Sequence, residues 1–226
     1  MLWAIISDIH ANREALDAVF ESIESKNADK IICLGDIVGY GADPDYCVEQ
    51  VRRRADITVI GNHDHAALGL TPTYYFNPYA KAAAIWTADN LKKENAKFLK
   101  KLKFKVVLDN TLLVHSTPSR PENWNYVFSR AEAMWQFAKF EQDVCFIGHS
   151  HIPAMFKEEG DERRIINVGS VGQPRDHDPR ACYFLWESER NQGDWMRVEY
   201  DIDSAADKIR KAGLPETLAD RLYQGM

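Results

Sequence analysis

The stretch Leu2-Trp3-Ala4-Ile5-Ile6-Ser7-Asp8-Ile9-His10 decides the fold class of this 226-residue chain. Its apolar run is short and continuous, which is typical of a buried strand, and it ends directly in polar residues. Apolar residues then recur at helical spacing between positions 14 and 23. The order strand, loop, helix indicates the first unit of an α/β sheet.

Two further strands are predicted, at 31–34 and 57–60, with a Gly-rich loop and a helix near 45–54 between them. Strands that alternate with helices are typical of parallel βαβ units, whose loops gather at one sheet edge. Later short strands are predicted at 104–108, 111–114, 144–147, 154–157, 164–168, 181–186 and 195–200, and helices at 79–101, 131–140 and 204–222. We find no repeat and no linker, so residues 1–226 are expected to form a single domain.

The composition is that of an ordinary globular chain, with 45% hydrophobic and 27% charged residues. A net charge of -6 has the wrong sign for coating a polyanion, so long nucleic acid is not an expected partner. The four cysteines form no Cys-x-x-Cys pair, which favours reduced thiols inside the cell. No apolar stretch approaches the roughly 18 residues of a membrane span, and the first apolar run is too short for a signal peptide. We therefore expect a cytoplasmic protein without a membrane partner.

Polar side chains follow three consecutive predicted strands. Asp8 and His10 come after the first strand, Asp36 after the second, and Asn62 and His63 after the third. Ligands bind at the carboxyl ends of strands in open α/β sheets, and here those ends carry oxygen and nitrogen donors. Taken singly, each Asp or Asn also fits a simple turn after a strand.

Histidines follow two later strands as well. His115 closes the strand at 111–114, and His149 and His151 follow the strand at 144–147. A His-x-His pair in extended backbone can direct both imidazoles at one ion. The two histidines outside this pattern, His65 and His177, are expected to face solvent.

These blocks resemble, in this order, the motifs of the calcineurin-like metallophosphoesterases: Asp8-x-His10, Gly35-Asp36, Gly61-Asn62-His63-Asp64, His115 and Gly148-His149-Ser150-His151. The likeness is strongest to small bacterial and archaeal phosphodiesterase-like members without a large cap domain. Residues 167–176 resemble the C-terminal signature of these members. Val168 departs from the proline that these relatives often carry, at a position that supplies backbone. The resemblance implies the α/β fold class, as a four-layer α/β/β/α sandwich of two mixed β-sheets flanked by helices.

The resemblance also implies two divalent metal ions as cofactors. The implied ligands are two sets that share a bridging Asp36, namely Asp8, His10, Asp36 and His151 for one ion and Asp36, Asn62, His115 and His149 for the other. Mixed carboxylate, amide and imidazole donors favour Mn²⁺, Fe, Ni, Co or Zn over Ca²⁺. Two such ions clamp an in-line phosphoryl displacement and lower the pKa of a bridging water, which gives the attacking hydroxide.

His63 resembles the catalytic histidine of the family, which protonates the leaving oxygen or stabilises transition-state charge. For Asp64 two interpretations stay open: its carboxylate orients the His63 ring, or it caps the following helix.

Arg120 and Arg175 are the candidate substrate-binding residues, because a guanidinium can hold a non-scissile phosphate. In the competing interpretation, the arginines of these segments pair with Asp176 and Asp178, and the aromatic residues only anchor loops. Weaker substrate-contact candidates are Arg180, Trp124, Asn125, Tyr126, Tyr40, Tyr74 and Tyr75.

The sequence therefore predicts a metal-dependent phosphoric ester hydrolase, a phosphodiesterase or phosphomonoesterase that acts on small phosphate esters or nucleotides by metal-activated hydroxide attack. By resemblance, phosphodiesters are favoured. One alternative is a small nuclease acting on nucleic-acid ends, which predicts salt-sensitive oligonucleotide cleavage. The other is a non-catalytic docking module, which the complete ligand set disfavours. The sequence does not identify the physiological substrate, the metal or the oligomeric state.

Overall fold

Ten strands form two five-stranded mixed sheets in the computed structural model, which describes residues 1–160 and 162–226. The first sheet consists of β1 (Leu2–Ile6), β2 (Lys30–Cys33), β3 (Ile57–Thr58), β9 (Ala181–Glu187) and β10 (Gln192–Val198), in the order β10-β9-β1-β2-β3. The second sheet consists of β4 (Lys105–Leu108), β5 (Thr111–Val114), β6 (Val144–Ile147), β7 (Ala154–Lys157) and β8 (Arg164–Asn167), in the order β4-β5-β6-β8-β7. The strands β1, β2 and β3 run parallel, as do β5, β6 and β8.

The side chains of β1 alternate between two cores. Trp3 and Ile5 belong to the apolar cluster between the sheets, together with Phe146 of β6. Ala4 and Ile6 belong to the cluster that joins the first sheet to α1 (Arg13–Lys26) and α2 (Pro44–Arg54). A strand buried on both faces explains the continuous apolar run, because successive side chains point to opposite sides.

The second sheet is covered on its outer face by α6 (Arg130–Phe137). Ala133 and Phe137 of this helix pack with Cys145 and Ile147 of β6. The layers are therefore helices, sheet, sheet and helix, which confirms the predicted four-layer sandwich.

Five further helices are described. They are α3 (Asn62–Ala67), α4 (Pro78–Asn90), α5 (Lys93–Leu99), α7 (Ile202–Lys211) and α8 (Glu216–Gln224), with single 3₁₀ turns at Thr73–Tyr75 and Pro121–Asn123; of Tyr75 only the backbone is described. Helices α4, α7 and α8 pack around Tyr40, in the loop after β2. Among the helices described, none is long and apolar enough to cross a membrane.

Two predicted helices are each divided in the structure. The pattern at 79–101 is interrupted after α4, where the Lys92 backbone N–H donates to Asp45 Oδ1 (3.0 Å) instead of continuing the helix. The pattern at 204–222 is divided between α7 and α8, because Gly213 has a φ of +70° and Pro215 precedes α8. In both places the helical spacing of polar and apolar residues continues across the break, so this spacing alone does not show where the first helix ends.

Other boundaries differ from the prediction. Strand β3 covers only the first half of 57–60, and the short helix α3 after it, which only the capping interpretation of Asp64 anticipated, begins at Asn62. The last strand was predicted at 195–200, but β10 begins earlier because it pairs along the whole of β9. Cross-strand pairing, rather than the local apolar pattern, fixes these ends.

Candidate metal centre

The loops that follow β1, β2, β3, β5 and β6 converge at one edge of the two sheets. They carry the predicted site residues, all of them buried: Asp8, His10, Asp36, Asn62, His63, His115, His149 and His151. Parallel strands place their carboxyl ends on the same side, so the topology brings together residues that are far apart in sequence. Asp8 and His149, for example, are joined by a hydrogen bond across 141 positions.

The backbone at these residues is unusual. Positive φ angles occur at Asp8 (53°), His10 (51°), Asp36 (50°), His149 (68°) and His151 (62°). Non-glycine residues in this region cost about 1–3 kcal/mol each and persist only where the surroundings impose the conformation. Backbone strain at five residues of one cluster is typical of a functional site.

Two glycines allow the carboxylates to approach the neighbouring loops. A Cβ at Gly61 would overlap the side chain of Asp36, and a Cβ at Gly148 would meet Asp8 Oδ2. The space is used by hydrogen bonds: the His63 N–H donates to Asp36 Oδ1 (2.8 Å) and the His149 N–H donates to Asp8 Oδ2 (3.0 Å). One oxygen of each carboxylate is therefore fixed by the backbone.

The other oxygen of each carboxylate has no hydrogen-bond partner in the described part of the chain. Asp8 Oδ1 and Asp36 Oδ2 are both buried. His151 Nε2 lies 3.3 Å from Asp8 Oδ1, and His115 Nε2 lies 3.3 Å from Asp36 Oδ2. Leaving buried carboxylate oxygens unpartnered is costly, so this arrangement fits a cation.

The ring nitrogens that face away from the cluster are each bound to a backbone carbonyl. The four N–H donors and their acceptors are His10 Nδ1 to Val38 O (3.1 Å), His115 Nδ1 to Leu34 O (2.8 Å), His151 Nδ1 to Gln173 O (2.6 Å) and His149 Nε2 to Trp124 O (2.8 Å). A proton held on the outer nitrogen leaves a lone pair on the inner one, which is how metal-binding histidines are oriented.

Ligand atoms of the cluster fall into overlapping groups, with the atoms in each group within 4.8 Å of one another. The groups are Asp8, His10 and His151, then Asp36, His115 and His149, and finally His10, Asp36 and His63. The first two are each part of one ligand set that the resemblance implies, and Asn62 Oδ1 adjoins the second, 3.2 Å from His115 Nε2. The third includes His63, which the resemblance does not make a ligand.

Burial and mutual charge set the protonation of the cluster. Burial lowers the pKa of His63 to about 4 and that of His149 to about 3. Burial also opposes a charge on His115, but the nearby carboxylates of Asp36 and Asp8 outweigh it and raise its pKa to about 9. Burial raises the pKa of Asp8 to about 6. A cation bound at this edge would oppose the extra proton on His115 and leave its inner nitrogen with a lone pair.

His63 differs from the four histidines bound to carbonyls. Its Nδ1 is buried and has no hydrogen-bond partner in the described residues. Its ring lies between other rings, with centroid distances of 4.4 Å to Tyr40, 4.9 Å to His10 and 4.9 Å to Phe76. The imidazole is thus held by packing, and its ring nitrogens are free for chemistry.

Asp64 caps α3 and does not bind the His63 ring. Its Oδ2 accepts from the Gly61 N–H (3.1 Å), and its Oδ1 accepts from the Ile37 and Val38 N–H groups (2.9 and 3.1 Å). Of the two interpretations, capping is the one that the structure shows. The same bonds also fix the loop after Asp36.

The family is decided by the match of residues 1–191 to the calcineurin-like phosphoesterase superfamily domain. The chain belongs to this family. The chain is 42% identical to the uncharacterized protein MJ0912 of Methanocaldococcus jannaschii over 98% of this chain and 97% of that protein. The crystal structure of a metallophosphoesterase from Sphaerobacter thermophilus matches all of this chain and 99% of that one, with a TM-score of 0.90 and 40% identity. The hypothetical protein PH1004 of Pyrococcus horikoshii OT3 shares the fold (TM-score 0.86, 19% identity, 100% and 98% coverage).

The two candidate substrate arginines of this calcineurin-like phosphoesterase differ in placement. Arg120 is exposed, and in the described residues its side chain forms no hydrogen bond or ion pair. Arg175 is half-buried beside the cluster, where it donates to Gln173 Oε1 (2.8 Å) and Tyr40 Oη (3.4 Å). The expected pairing with Asp178 occurs at Arg180, not at Arg175.

The aromatic candidates border the site to different extents. Tyr126 stacks on the ring of His149, with centroids 4.0 Å apart, and Trp124 supplies the carbonyl that binds His149. Tyr74 is exposed, and the side chain of Tyr75 lies outside the described part of the structure.

One prediction near the site is wrong. His65 does not face solvent, because Nδ1 binds Thr71 Oγ1 (2.7 Å) and its ring packs against Phe104 and Trp124. His177 is exposed, as expected. Two features of the site were not predicted: Phe76, which packs on His63, and the carbonyl acceptors of the histidines. The carbonyls carry no sequence signal, since every residue has one.

Proposed function

We propose that the protein is a dinuclear-metal phosphoesterase that hydrolyses small phosphodiesters. The observation that carries the proposal is the pattern of carbonyl bonds on four histidines, which directs their inner nitrogens at two unpartnered carboxylate oxygens. A structural histidine cluster would not need four outer nitrogens fixed in this way. A docking module would have no use for the strain on the same residues.

The residues that would hold the ions form two sets around Asp36. They are Asp8, His10, Asp36 and His151 in one set, and Asp36, Asn62, His115 and His149 in the other. Two divalent ions supply Lewis acidity toward phosphoryl oxygens and a nucleophilic water at neutral pH. The other ligands are neutral, so Asp8 and Asp36 leave about two of the four positive charges uncompensated, which suits an anionic substrate.

His63 is the residue that we assign to the leaving group. In hydrolysis, a water oxygen bonds to phosphorus, the bond from phosphorus to the leaving oxygen breaks, and that oxygen takes up a proton. His63 has a pKa lowered to about 4 by burial, so its imidazole is neutral at pH 7 and donates a hydrogen bond. A bound phosphate anion raises that pKa, so the ring takes up a proton before it protonates the leaving oxygen, and the proton that the attacking water loses restores the balance.

The rest of the pocket favours small substrates. Tyr126 and Phe128 form a stack that begins at His149 and ends in exposed rings (43% and 59% exposed). Such a stack offers an aromatic face to a nucleobase or aryl group. The net charge of -6 opposes a long polyanion, so we place a nuclease activity second.

The test compares hydrolysis of bis-p-nitrophenyl phosphate and p-nitrophenyl phosphate with added Mn²⁺. Wild type is measured beside Asp36→Asn and beside Asp194→Asn, a control that removes a carboxylate from the exposed end of β10. We expect faster turnover of the diester, loss of at least about 10²-fold in Asp36→Asn and no loss in the control. Wild type with bound metal and no turnover of either ester or of oligonucleotides would contradict the proposal.

A further inference from the structure

Tyr40 lies between the candidate metal centre and a pair of arginines. Its ring packs on His10 (4.7 Å) and His63 (4.4 Å), and the Arg175 guanidinium carbon lies 5.7 Å from the same ring. The loop that carries Arg175 is tied to the ligand His151, because the Arg175 N–H donates to the His151 carbonyl (3.3 Å). Arg175 is therefore fixed in position next to the cluster.

The guanidinium of Arg175 is only partly satisfied. Its Nε is buried without a hydrogen-bond partner in the described residues, and its two polar contacts are neutral oxygens of Gln173 and Tyr40. Asp176, the adjacent carboxylate, pairs with Arg197 instead. A half-buried guanidinium without a carboxylate partner is typical of an anion-binding residue.

Arg221 of α8 adds a second guanidinium on this side. Leu222 of α8 packs in the cluster that contains Tyr40, and the end of the chain touches the Arg175 loop through a hydrogen bond from the His177 N–H to Gly225 O (2.9 Å). Arg221 Nε donates to the backbone oxygen of Met226 (2.6 Å). Within residues 1–160 and 162–226, neither Arg175 nor Arg221 pairs with an Asp or Glu side chain.

The charge of Arg175 acts on Arg221. Burial, and after it the positive charge of Arg175, lower the pKa of Arg221. The charge of Arg175 also lowers the pKa of His10, His63 and His151, where burial is the largest cause. Both guanidinium groups are half-buried, and an anion bound beside them would offset their mutual repulsion.

We propose that Arg175, Arg221 and the Tyr40 hydroxyl form a site for a second phosphate group of the substrate, next to the phosphate that reacts at the metal centre. This inference rests on the proposed function and names its substrate class: esters in which the scissile phosphate adjoins another phosphate, as in nucleoside diphosphates and dinucleoside polyphosphates. Phosphate groups match the fork of an arginine, and two guanidinium groups match the charge of a polyphosphate.

The test is a binding measurement that needs no turnover. Orthophosphate and methylenediphosphonate, which carries two phosphate-like groups and resists hydrolysis, are titrated calorimetrically into Mn²⁺-loaded protein. The variants are Arg221→Gln, Arg221→Ala and the control Arg52→Gln, which removes an exposed arginine from the last turn of α2. Circular dichroism verifies that each variant is folded.

We expect wild type and Arg52→Gln to bind the diphosphonate more tightly than orthophosphate. In both Arg221 variants this preference should fall about tenfold, the effect of losing one charge-assisted contact. An equal loss for both anions, or no loss for either, would overturn the inference. The proposed function fails separately: if wild type hydrolyses no ester but the Arg221-dependent preference is measured, the anion site stands and the hydrolase assignment falls.

Discussion

At the scale of single residues, the site contains four histidines whose rings are fixed by a hydrogen bond and one, His63, whose ring is held by packing. Four have an outer N–H bound to a carbonyl, and His63 has a buried Nδ1 with no partner in the described structure. A fixed tautomer suits a ligand, whereas a residue that transfers a proton must change protonation state. This contrast is the physical basis for giving His63 a role different from that of its neighbours.

The substitution His63→Ala tests this division of roles. We expect the diester kcat to fall by about 10²–10⁴-fold, because a proton donor is lost, with the metal content unchanged. His65→Ala is the control: its ring is two residues away and packs on Phe104 and Trp124 rather than on the cluster. Elemental analysis that finds His63→Ala depleted of metal would show that His63 is a ligand, as the group it forms with His10 and Asp36 allows.

At the scale of elements, the site depends on close packing between the loop after β2 and the start of α3. Gly61 faces Asp36 with no room for a side chain, and Asp64 binds three backbone N–H groups across the junction. The geometry of the carboxylate is therefore set by backbone contacts. A small shift of the backbone at this junction would therefore move the Asp36 carboxylate.

Gly61→Ala is expected to lower the free energy of unfolding by about 1–3 kcal/mol through overpacking, and to reduce metal content and diester turnover with it. Urea unfolding and elemental analysis measure the two effects. Gly69→Ala is the matched control, because no atom lies within 4 Å of its added Cβ, although its φ of +71° carries a strain cost. Gly61→Ala with full metal content would refute the packing argument.

The loop that carries Arg175 is stabilised by ion pairs that respond to acid. Its neighbour Asp178 has a pKa lowered to about 2, mainly by hydrogen bonds from Arg180. The folded pKa lies below the unfolded value near 3.9, so this stabilisation is present above about pH 4 and is lost as the pH falls toward 2. Because 27% of the Asp178 side chain is exposed, we expect its ion pair to contribute about 1 kcal/mol or less to the free energy of unfolding.

Asp178→Asn should therefore narrow the difference in unfolding free energy between pH 7 and pH 3 by up to about 1 kcal/mol relative to wild type. Urea titrations at the two pH values measure it, and Asp194→Asn provides a control for general charge effects. A wider difference in Asp178→Asn would reverse the sign that the ion pair requires.

The sequence predicts the site better than it predicts the elements around it. Asp8, Asp36 and His115 could be placed together because each follows a strand, and parallel strands end at one edge. The break between α4 and α5 could not be predicted, since it depends on the contact from Lys92 to Asp45. Arg221 could not be linked to the site either, because it lies on an amphipathic helix and only the packing of α8 against Tyr40 brings it there.

At the scale of the whole molecule, the site joins the two sheets. Asp8 and Asp36 come from the first sheet, and His115, His149 and His151 come from the second. Ions held by both groups would connect the halves of the sandwich. Binding that occurs only in the folded state adds to stability by mass action.

Metal removal should therefore lower the melting temperature. At an ion concentration about 100-fold above Kd, binding adds about 2.7 kcal/mol to the free energy of unfolding. For a chain of this size, that corresponds to a rise in melting temperature of about 5–10 °C. Differential scanning calorimetry with Mn²⁺ and with a chelator measures the change, and Asp36→Asn should show a much smaller one. Equal melting temperatures in wild type with and without metal would mean that the cluster is a structural charge network.

The dinuclear hydrolase is tested most directly by counting the bound ions and measuring the turnover that they enable. Metal-free protein is titrated with Mn²⁺ while bound metal and bis-p-nitrophenyl phosphate hydrolysis are followed on the same samples. We predict two ions per chain and turnover that rises to its maximum only as the second ion binds. Saturation at one ion with full activity, or two bound ions without any diester turnover, would contradict the dinuclear hydrolase.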